Sequence, residues 1–302
     1  RSTPLYSSAA SDVYKRQVRG ISFSLEKGKT LAIVGESGSG KSVTSMALTK
    51  LLPPKPMCQV LGVARLDGKN LLDLPEREMR SVRGKRIAYI FQEPSTSLNP
   101  YYTVGSQIAE ALEYHRDDVS DIGGEVIRLL DQVGIRDPEN RAKDYPHQMS
   151  GGMKQRVMIA IALACQPSIL IADEPTTALD VTIQKQILEL LNKLRKKLGM
   201  SLLIISHDLN IVKKISHFVC VMKNGEIVEL DQVKNIQKGG KHPYTKKLIG
   251  SIPSASGTRQ RGLLSKPDSL HFSKDPILEV RNLKKTFQSP GPVSYTHLRA
   301  HE

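Results

Sequence analysis

Cysteine is scarce in this chain, long apolar runs are missing, and no leader-like start is visible. The three cysteines, Cys58, Cys165 and Cys220, show no paired spacing, which argues against a disulfide framework and a cysteine zinc site. The longest apolar run, Val157 to Cys165, has about half the length that crosses a bilayer. No signal peptide pattern is present. We therefore expect a protein without disulfides, zinc or membrane spans.

The overall composition is that of cytosolic α/β protein. The chain has 302 residues, of which 39% are hydrophobic and 25% charged, as expected for one or two globular domains. Its formal charge is +14, but the basic residues are scattered and form only short clusters such as 193–197. A solvated helix face explains such clusters, so we expect no nucleic-acid partner. Attraction to acidic lipid headgroups is a compatible alternative.

The two ends of the chain do not resemble the rest. Residues 12–17 and 293–297 can be encoded by one DNA element and its inverted complement, which resembles the transposon end used in sequencing libraries. We therefore expect residues 1–17 and 293–302 to be translated adapter sequence, outside any fold.

A phosphate-binding loop follows the first strongly apolar segment. The segment Leu31 to Val34 is a predicted strand, and a predicted helix begins at Val43. Between them, the glycines allow backbone N–H groups to point at a phosphate, the lysine adds a charge, and the last hydroxyl is suited to Mg²⁺. The loop residues are Gly35, Glu36, Ser37, Gly38, Ser39, Gly40, Lys41 and Ser42. The strand–loop–helix context predicts a nucleoside triphosphate site.

Strands alternate with helices along the rest of the chain. Predicted strands are 18–25, 63–66, 87–91, 169–172, 202–205 and a hairpin of 218–222 with 226–230, and predicted helices include 104–114, 125–133 and 181–198. Continuous apolar strands such as Ile169 to Ala172 are typical of a parallel sheet buried on both faces. This order predicts a doubly wound α/β sheet built around the phosphate-binding loop.

Polar side chains follow three of these strands directly. Asp173 and Glu174 end one strand, His207 ends the next, and Gln92 ends a third. Parallel strands place such residues at one edge of the sheet. We expect Asp173 to bind Mg²⁺ and Glu174 to polarise the attacking water. His207 can reach a γ-phosphate, and Gln92 can bond the metal shell or the water.

A second anion-binding segment lies at 150–156. Ser150 is a good helix N-cap, and Gly151 and Gly152 would let a phosphate approach the free N–H groups of the helix. A chain that binds one nucleotide has a use for a second phosphate site if that site contacts the ATP bound by a partner.

Taken together, these motifs resemble the ATP-binding domain of ABC transporters. The resemblance covers about 18–254 and includes the Walker A loop, the Q-loop glutamine, the signature helix, the Walker B pair, the D-loop at 178–180 and the switch histidine. It implies a P-loop NTPase (RecA-like) core with an antiparallel β subdomain and a helical subdomain at about 93–165. It also implies ATP and Mg²⁺ as cofactors, with Val43, Gln155 and Asp180 joining the nucleotide-binding residues.

Finer features resemble the oligopeptide/dipeptide importer subfamily. They are Phe91 to Pro94 leading to Ser97 to Pro100, Tyr145 to Gln148, and His242 to Thr245 within a motif at about 239–254. The resemblance implies a peripheral ATPase on the cytoplasmic face of a prokaryotic plasma membrane. Its implied partners are a second ABC domain, integral membrane permease subunits and, indirectly, an extracytoplasmic substrate-binding protein. Nickel and glutathione are related cargoes.

Two interpretations stay open at this stage. Residues 255–275 read as a linker, and 276–292 resemble the first strand of a second, truncated ABC domain, although an ordinary C-terminal strand is the alternative. A soluble ABC ATPase that acts on ribosomes or nucleic acid is the alternative function. The importer-type segments at 97–100 and 242–245 favour transport.

Overall fold

A six-stranded sheet forms the centre of the protein. The computed structural model describes residues 17–54, 57–177 and 179–250, with two short strands further on. The strands are β1 Thr30–Val34, β2 Arg65–Leu66, β3 Lys69–Asn70, β4 Ile87–Ile90, β5 Ile169–Asp173, β6 Ser201–Ser206, β7 Phe218–Lys223 and β8 Glu226–Gln232. The sheet order is β4-β5-β6-β1-β7-β8, with β8 antiparallel to β7 and the other neighbours parallel. The predicted doubly wound α/β core is confirmed.

Helices pack on this sheet and extend from it. They are α1 Lys41–Leu48, α2 Glu76–Val82, α3 Pro94–Ser97, α4 Val104–His115, α5 Ile122–Gln132, α6 Pro138–Arg141, α7 Gly151–Ala164, α8 Val181–Leu198, α9 Leu209–Val212, α10 Val233–Gln237 and α11 Pro243–Gly250. Helices α3 to α7 occupy the predicted helical region. Among the described residues, no helix is long and apolar enough to cross a membrane.

Strand β1 shows why the sheet is buried on both faces. Its side chains alternate between two cores, because successive residues of a strand point to opposite faces. Ala32 and Val34 belong to the larger cluster, which includes α4, α5, α7 and α8. Leu31 and Ile33 belong to a smaller cluster with Met79 of α2. This burial fixes the register of β1 and therefore the position of the loop that follows it.

The predicted strand at 18–25 is wrong. In the structure this segment has no strand hydrogen-bonding pattern, although Ile21, Phe23 and Leu25 do pack against the smaller cluster. The alternation correctly identified the buried face, but a strand also needs a neighbour for its backbone groups. The predicted strand at 63–66 is shorter than expected, because β2 spans only Arg65–Leu66 and pairs antiparallel with β3 in a two-stranded ribbon.

The C-terminal part of the chain, 253–302, is a separate compact unit. Its described strands, β9 Thr286–Phe287 and β10 Thr296–His297, pair antiparallel. Residues 1–16, the predicted linker at 255–275 and most of 276–302 lie outside the described residues. The assignments made for them from sequence therefore stay predictions.

His217 makes folding stability depend on pH. Its Nδ1 accepts a hydrogen bond from the buried Thr30 N–H at 3.0 Å, and burial, assisted by Arg195 and Lys29, lowers the pKa of His217. Protonation removes this acceptor. The stabilisation should therefore be complete above about pH 6.5, the unfolded pKa, and should be lost as pH falls below it.

We expect His217→Asn to reduce this pH dependence, because the amide oxygen can accept the same hydrogen bond without titrating. The check is the urea midpoint of both proteins at about pH 7.5 and about pH 5.5. The wild type should lose more stability on acidification than the variant. Equal losses would contradict the assignment.

Candidate functional site

The phosphate-binding loop connects β1 to α1 and is held close to the β7–β8 hairpin. A Cβ atom on Gly35 would lie 2.2 Å from the Met222 carbonyl oxygen, so only glycine permits this approach. Gly40 caps α1 with φ of 97°, a left-handed conformation that glycine adopts without strain. On the outer side of the loop, Gly225 N–H donates to Ser39 O at 3.0 Å. The turn is thus fixed by neighbouring backbone.

Lys41 lies inside this loop and is almost fully buried, at 5% exposure. Its ammonium group donates to the carbonyl oxygens of Gly35 and Glu36, each at 2.9 Å. Burial lowers the pKa of Lys41, and the carboxylates of Glu174 and Asp173 oppose that shift. The buried Ser39 hydroxyl has no hydrogen-bond partner in the described part of the chain. A cation and a spare donor at the start of a helix are suited to phosphate.

Asp173, at the end of β5, joins the loop to the sheet. Its Oδ1 accepts from Ser42 Oγ at 3.0 Å, and its Oδ2 accepts from Tyr89 O–H at 2.9 Å. Burial raises the pKa of Asp173, whereas the bonds from Ser42 and Tyr89 act in the opposite direction. Tyr89 also contacts Ser45 Oγ at 2.7 Å. Because a carboxylate can only accept, the single Tyr89 proton goes to Asp173.

The Ser42–Asp173 pair fits a magnesium ion. The two oxygens are hard ligands 3.0 Å apart, which is close to the spacing of neighbouring ligands around Mg²⁺ with bonds of about 2.1 Å. Within the described residues there is no group of three or more His, Cys, Asp or Glu suited to a metal. A Mg²⁺ that is also bound by phosphates needs only one or two protein ligands, so the pair is sufficient.

Three side chains converge on one oxygen of Glu174. Its Oε2 accepts from Thr177 Oγ1 at 2.9 Å and from Gln92 Nε2 at 3.3 Å, and contacts His207 Nδ1 at 3.1 Å. The Glu174 side chain is 12% exposed and that of His207 is 57% exposed. A carboxylate held in this way at the site's open edge can act as a base.

The backbone at Glu174 is also unusual. Its φ is +45°, a left-handed conformation that costs a non-glycine residue about 1–2 kcal/mol. Its N–H donates to Ile205 O of β6 at 3.0 Å, which helps to hold the turn. Among the described residues, the side chain of Gln92 bonds Glu174, and its contact with the metal shell stays a prediction.

The signature segment begins α7 at the protein surface. Ser150 caps the helix as predicted, since its Oγ accepts from Met153 N–H at 3.3 Å. Ser150 and Gly151 are exposed. A Cβ on Gly152 would lie 2.9 Å from Ile183 Cγ2 of α8, so this glycine also permits close helix packing. The free N–H groups of α7 are therefore accessible from outside.

Gln155 and Asp180 differ from each other in accessibility. Gln155 is 1% exposed because it lies on the inner face of α7, and its contact with nucleotide stays a prediction. Asp180 is exposed and is the N-cap residue of α8, while Ala178 beside it lies outside the described residues. No hydrogen bond among those of the described residues joins 150–156 to the phosphate-binding loop.

Sequence reasoning missed Tyr89 and Thr177, and it gave Tyr244 no role beyond a family marker. Thr177 lies within one turn of Glu174, a spacing that could have suggested the contact. Tyr89 contacts residues 44 and 84 positions away along the chain, and the Tyr244 hydroxyl contacts Glu36 N–H across 208 positions. No local pattern signals such contacts.

Known proteins are similar to this chain over most of its length. A family profile described as ABC transporter matches residues 18–177. The chain is 50% identical to the oligopeptide transport ATP-binding protein OppD of Bacillus subtilis, over 93% of this chain and 81% of that protein. It is 52% identical to the dipeptide transport ATP-binding protein DppD of the same organism, over 78% and 71% of the two chains.

Other relatives are longer, and solved structures share the fold. The glutathione import ATP-binding protein GsiA of Escherichia coli O1:K1 / APEC is 49% identical over 89% of this chain but only 47% of that protein. The dimeric ATP-binding cassette MJ0796 bound to ADP and Pi superposes with a TM-score of 0.63 at 28% identity, over 72% of this chain and 90% of that one.

Proposed function

The chain belongs to the ABC transporter family of ATP-binding proteins, and from this membership we propose that it hydrolyses ATP to energise an importer of oligopeptides or dipeptides. The observation that carries the proposal is the convergence of Gln92 and His207 on Glu174 beside Lys41 and Asp173. The similarity to peptide-transport ATPases supports the cargo.

ATP would bind with its β- and γ-phosphates in the loop Gly35–Ser42. The inward N–H groups, the buried Lys41 and the start of α1 together supply positive potential. Bound Mg²⁺ would neutralise phosphate charge, with Ser42 and Asp173 as its protein ligands. Val43 would continue the ring of donors at the helix start.

Glu174 would orient the attacking water and take its proton as the water oxygen bonds to the γ-phosphorus. The bond from that phosphorus to the ADP oxygen breaks, and ADP leaves with the electron pair. His207 and Lys41 would stabilise the charge on the transferring group. When ATP occupies the site, Gln92 would couple this change to the helical region that follows it in the chain.

A second copy of the ATPase, or a second ABC domain of the same parent protein, would complete each site. Ser150 and Gly151 lie at the exposed start of α7 and form no hydrogen bond with the phosphate-binding loop of their own chain. We propose that they cover the γ-phosphate held by the partner, with Asp180 beside them, in a two-fold sandwich. The dimeric cassette relatives support this arrangement.

Tyr89 would hold Asp173 in position for Mg²⁺. Tyr89→Phe removes the hydrogen bond to Oδ2 and leaves the ring in place. We expect the Mg²⁺ concentration for half-maximal ATP hydrolysis to rise by about 3- to 10-fold, with little change in the ATP requirement at saturating Mg²⁺. Tyr114→Phe, on an exposed tyrosine, is the control. An unchanged Mg²⁺ requirement in Tyr89→Phe would contradict this role.

The helical region after Gln92 would contact the permease subunits on the cytoplasmic face of the membrane. Tyr101, at 85% exposure, and Tyr102 are exposed beside Gln92's segment, and exposed aromatic side chains are enriched at protein interfaces. A groove of about 450 Å³ lies nearby between α4, α5 and α6, lined by apolar side chains such as Ala109, Ile122 and Val126. An extracytoplasmic binding protein would act through the permease.

This contact can be tested together with the transport function. The tagged chain should co-purify with integral membrane subunits from detergent-solubilised membranes and should not sediment with ribosomes. We expect Tyr101→Ala with Tyr102→Ala to lower the recovered membrane subunits by about 10-fold or more without changing basal ATP hydrolysis, whereas Leu61→Ala should have no effect. Sedimentation with ribosomes would favour the soluble alternative.

A further inference from the structure

The segment His242–Thr245 lies against the phosphate-binding loop, although the proposed function gives it no task. The Tyr244 side chain is 6% exposed, and its hydroxyl accepts a hydrogen bond from Glu36 N–H at 3.2 Å. Tyr244 is on α11, whereas Glu36 is the second residue of the loop. The contact therefore connects the C-terminal part of the domain to the nucleotide site.

The tyrosine is itself held from several sides. Its N–H donates to His242 Nδ1 at 3.1 Å. The N–H groups of Lys241 and His242 donate to the Glu229 carboxylate of β8 at 2.8 and 2.9 Å. The Lys223 ammonium lies 4.8 Å from the centre of the Tyr244 ring, within cation–π range. These contacts fix the hydroxyl relative to the sheet.

The Glu36 backbone is hydrogen-bonded through both its N–H and its carbonyl oxygen. Its N–H bonds to Tyr244, while its carbonyl oxygen accepts from Lys41 Nζ at 2.9 Å. Further along the loop, Ser39 O accepts from Gly225 N–H at 3.0 Å. Tyr244 therefore supplies the side-chain support at the point where the loop leaves β1. Loss of this hydroxyl would leave a backbone N–H without its partner.

We propose that Tyr244 is a positioning residue that keeps the phosphate-binding loop in the conformation that binds phosphate. The role rests on the proposed function, because it presumes that the loop binds the nucleotide. A loop already in its binding conformation avoids the cost of ordering when the ligand arrives. The hydroxyl would therefore affect nucleotide binding more than the chemical step, in which it takes no part.

The test compares Tyr244→Phe with wild type in the full chain. Phenylalanine keeps the buried ring and the cation above it, so the variant should fold. We expect MgADP, measured by titration calorimetry, to bind about 3- to 10-fold more weakly. MgADP is chosen because it is not consumed during the titration. The KM for ATP should rise by a similar factor, with kcat within about twofold.

Hydrogen exchange gives a second readout that does not depend on binding. Without nucleotide, the Glu36 amide should exchange about 3- to 10-fold faster in Tyr244→Phe, while amides of β5 should be unchanged. A purely structural role would lower the melting temperature without this local effect. Tyr114→Phe, on an exposed tyrosine, should match wild type throughout.

Unchanged exchange at Glu36, or equal MgADP affinity of Tyr244→Phe and wild type, would overturn the proposal. So would a fall in kcat at constant KM. Lys41→Met separates this result from the function on which it rests. Suppose that wild type binds MgADP and Lys41→Met does not. A Tyr244→Phe variant with wild-type MgADP affinity then refutes only the positioning role. If wild type does not bind MgADP, the proposed function itself fails.

Discussion

Glu174→Gln should reduce ATP turnover by about 100-fold or more, because an amide cannot accept the proton of the attacking water. The change is nearly isosteric, and the amide oxygen can still accept the hydrogen bond from Thr177. ATP binding should therefore survive. Because ATP is no longer consumed, the variant should accumulate as a closed dimer in the presence of MgATP.

The measurement combines phosphate release with size-exclusion chromatography in MgATP. Glu189→Gln, on an exposed glutamate of α8, makes the same chemical change away from the site and should turn over at the wild-type rate. Turnover of Glu174→Gln within a few-fold of wild type would remove Glu174 from the mechanism. If the variant stays monomeric in MgATP, loss of the base does not by itself lead to accumulation of the closed dimer.

Lys41→Met should weaken ATP binding by about 10- to 100-fold, which is the range for loss of a charged hydrogen-bond donor. The expected effect on folding is small. Burial lowers the pKa of Lys41, so an apolar side chain of similar length avoids a desolvation cost. It also removes the hydrogen bonds to Gly35 O and Glu36 O, and the melting temperature should therefore change little.

The contrast between a large effect on binding and a small effect on folding makes the test specific. Calorimetric titration with MgADP and a thermal melt of the same sample report binding and folding separately. Lys185→Met, on the exposed face of α8, is the matched control and should change neither. Weaker binding that is accompanied by a lower melting temperature would indicate general damage rather than loss of a phosphate contact.

The sheet and the edge that carries the polar residues could be predicted because their signals are local. Continuous apolar runs such as Ile169–Ala172 predicted strands buried on both faces, and the structure places them in the parallel sheet. Glu174 and His207 each follow such a run by two positions, directly after the observed ends of β5 and β6. Parallel strands end at one edge of the sheet, so these two residues come together there. His207 Nδ1 lies 3.1 Å from Glu174 Oε2.

The parts that could not be predicted depend on distant contacts. The alternation at 18–25 identified the buried side chains, but whether a segment joins a sheet depends on a neighbour that the pattern does not specify. The burial of Gln155 on the inner face of α7 depends on how that helix packs, which the local sequence does not specify. The Tyr89 hydroxyl contacts Asp173 on the neighbouring strand, and the Tyr244 hydroxyl of α11 contacts Glu36 N–H of the loop; only the fold creates these contacts.

Face-to-face completion of two half-sites is tested most directly by mixing two inactive variants. Lys41→Met disables the phosphate-binding loop. Gly151→Asp places a negative charge at the start of α7, where a carboxylate suits the helix but repels a partner's γ-phosphate. A Cβ at Gly151 meets only Leu179 Cδ2 at 3.4 Å, so the variant should fold.

Each variant alone should be inactive, and their equal mixture should regain about a quarter of wild-type ATP hydrolysis. Half of the dimers are then mixed, and each mixed dimer holds one site with an intact loop and an intact signature. The activity of the mixture, compared with that of the separate variants, is the decisive measurement. Recovery is the result we predict. A mixture no more active than its components would contradict a site shared between two copies.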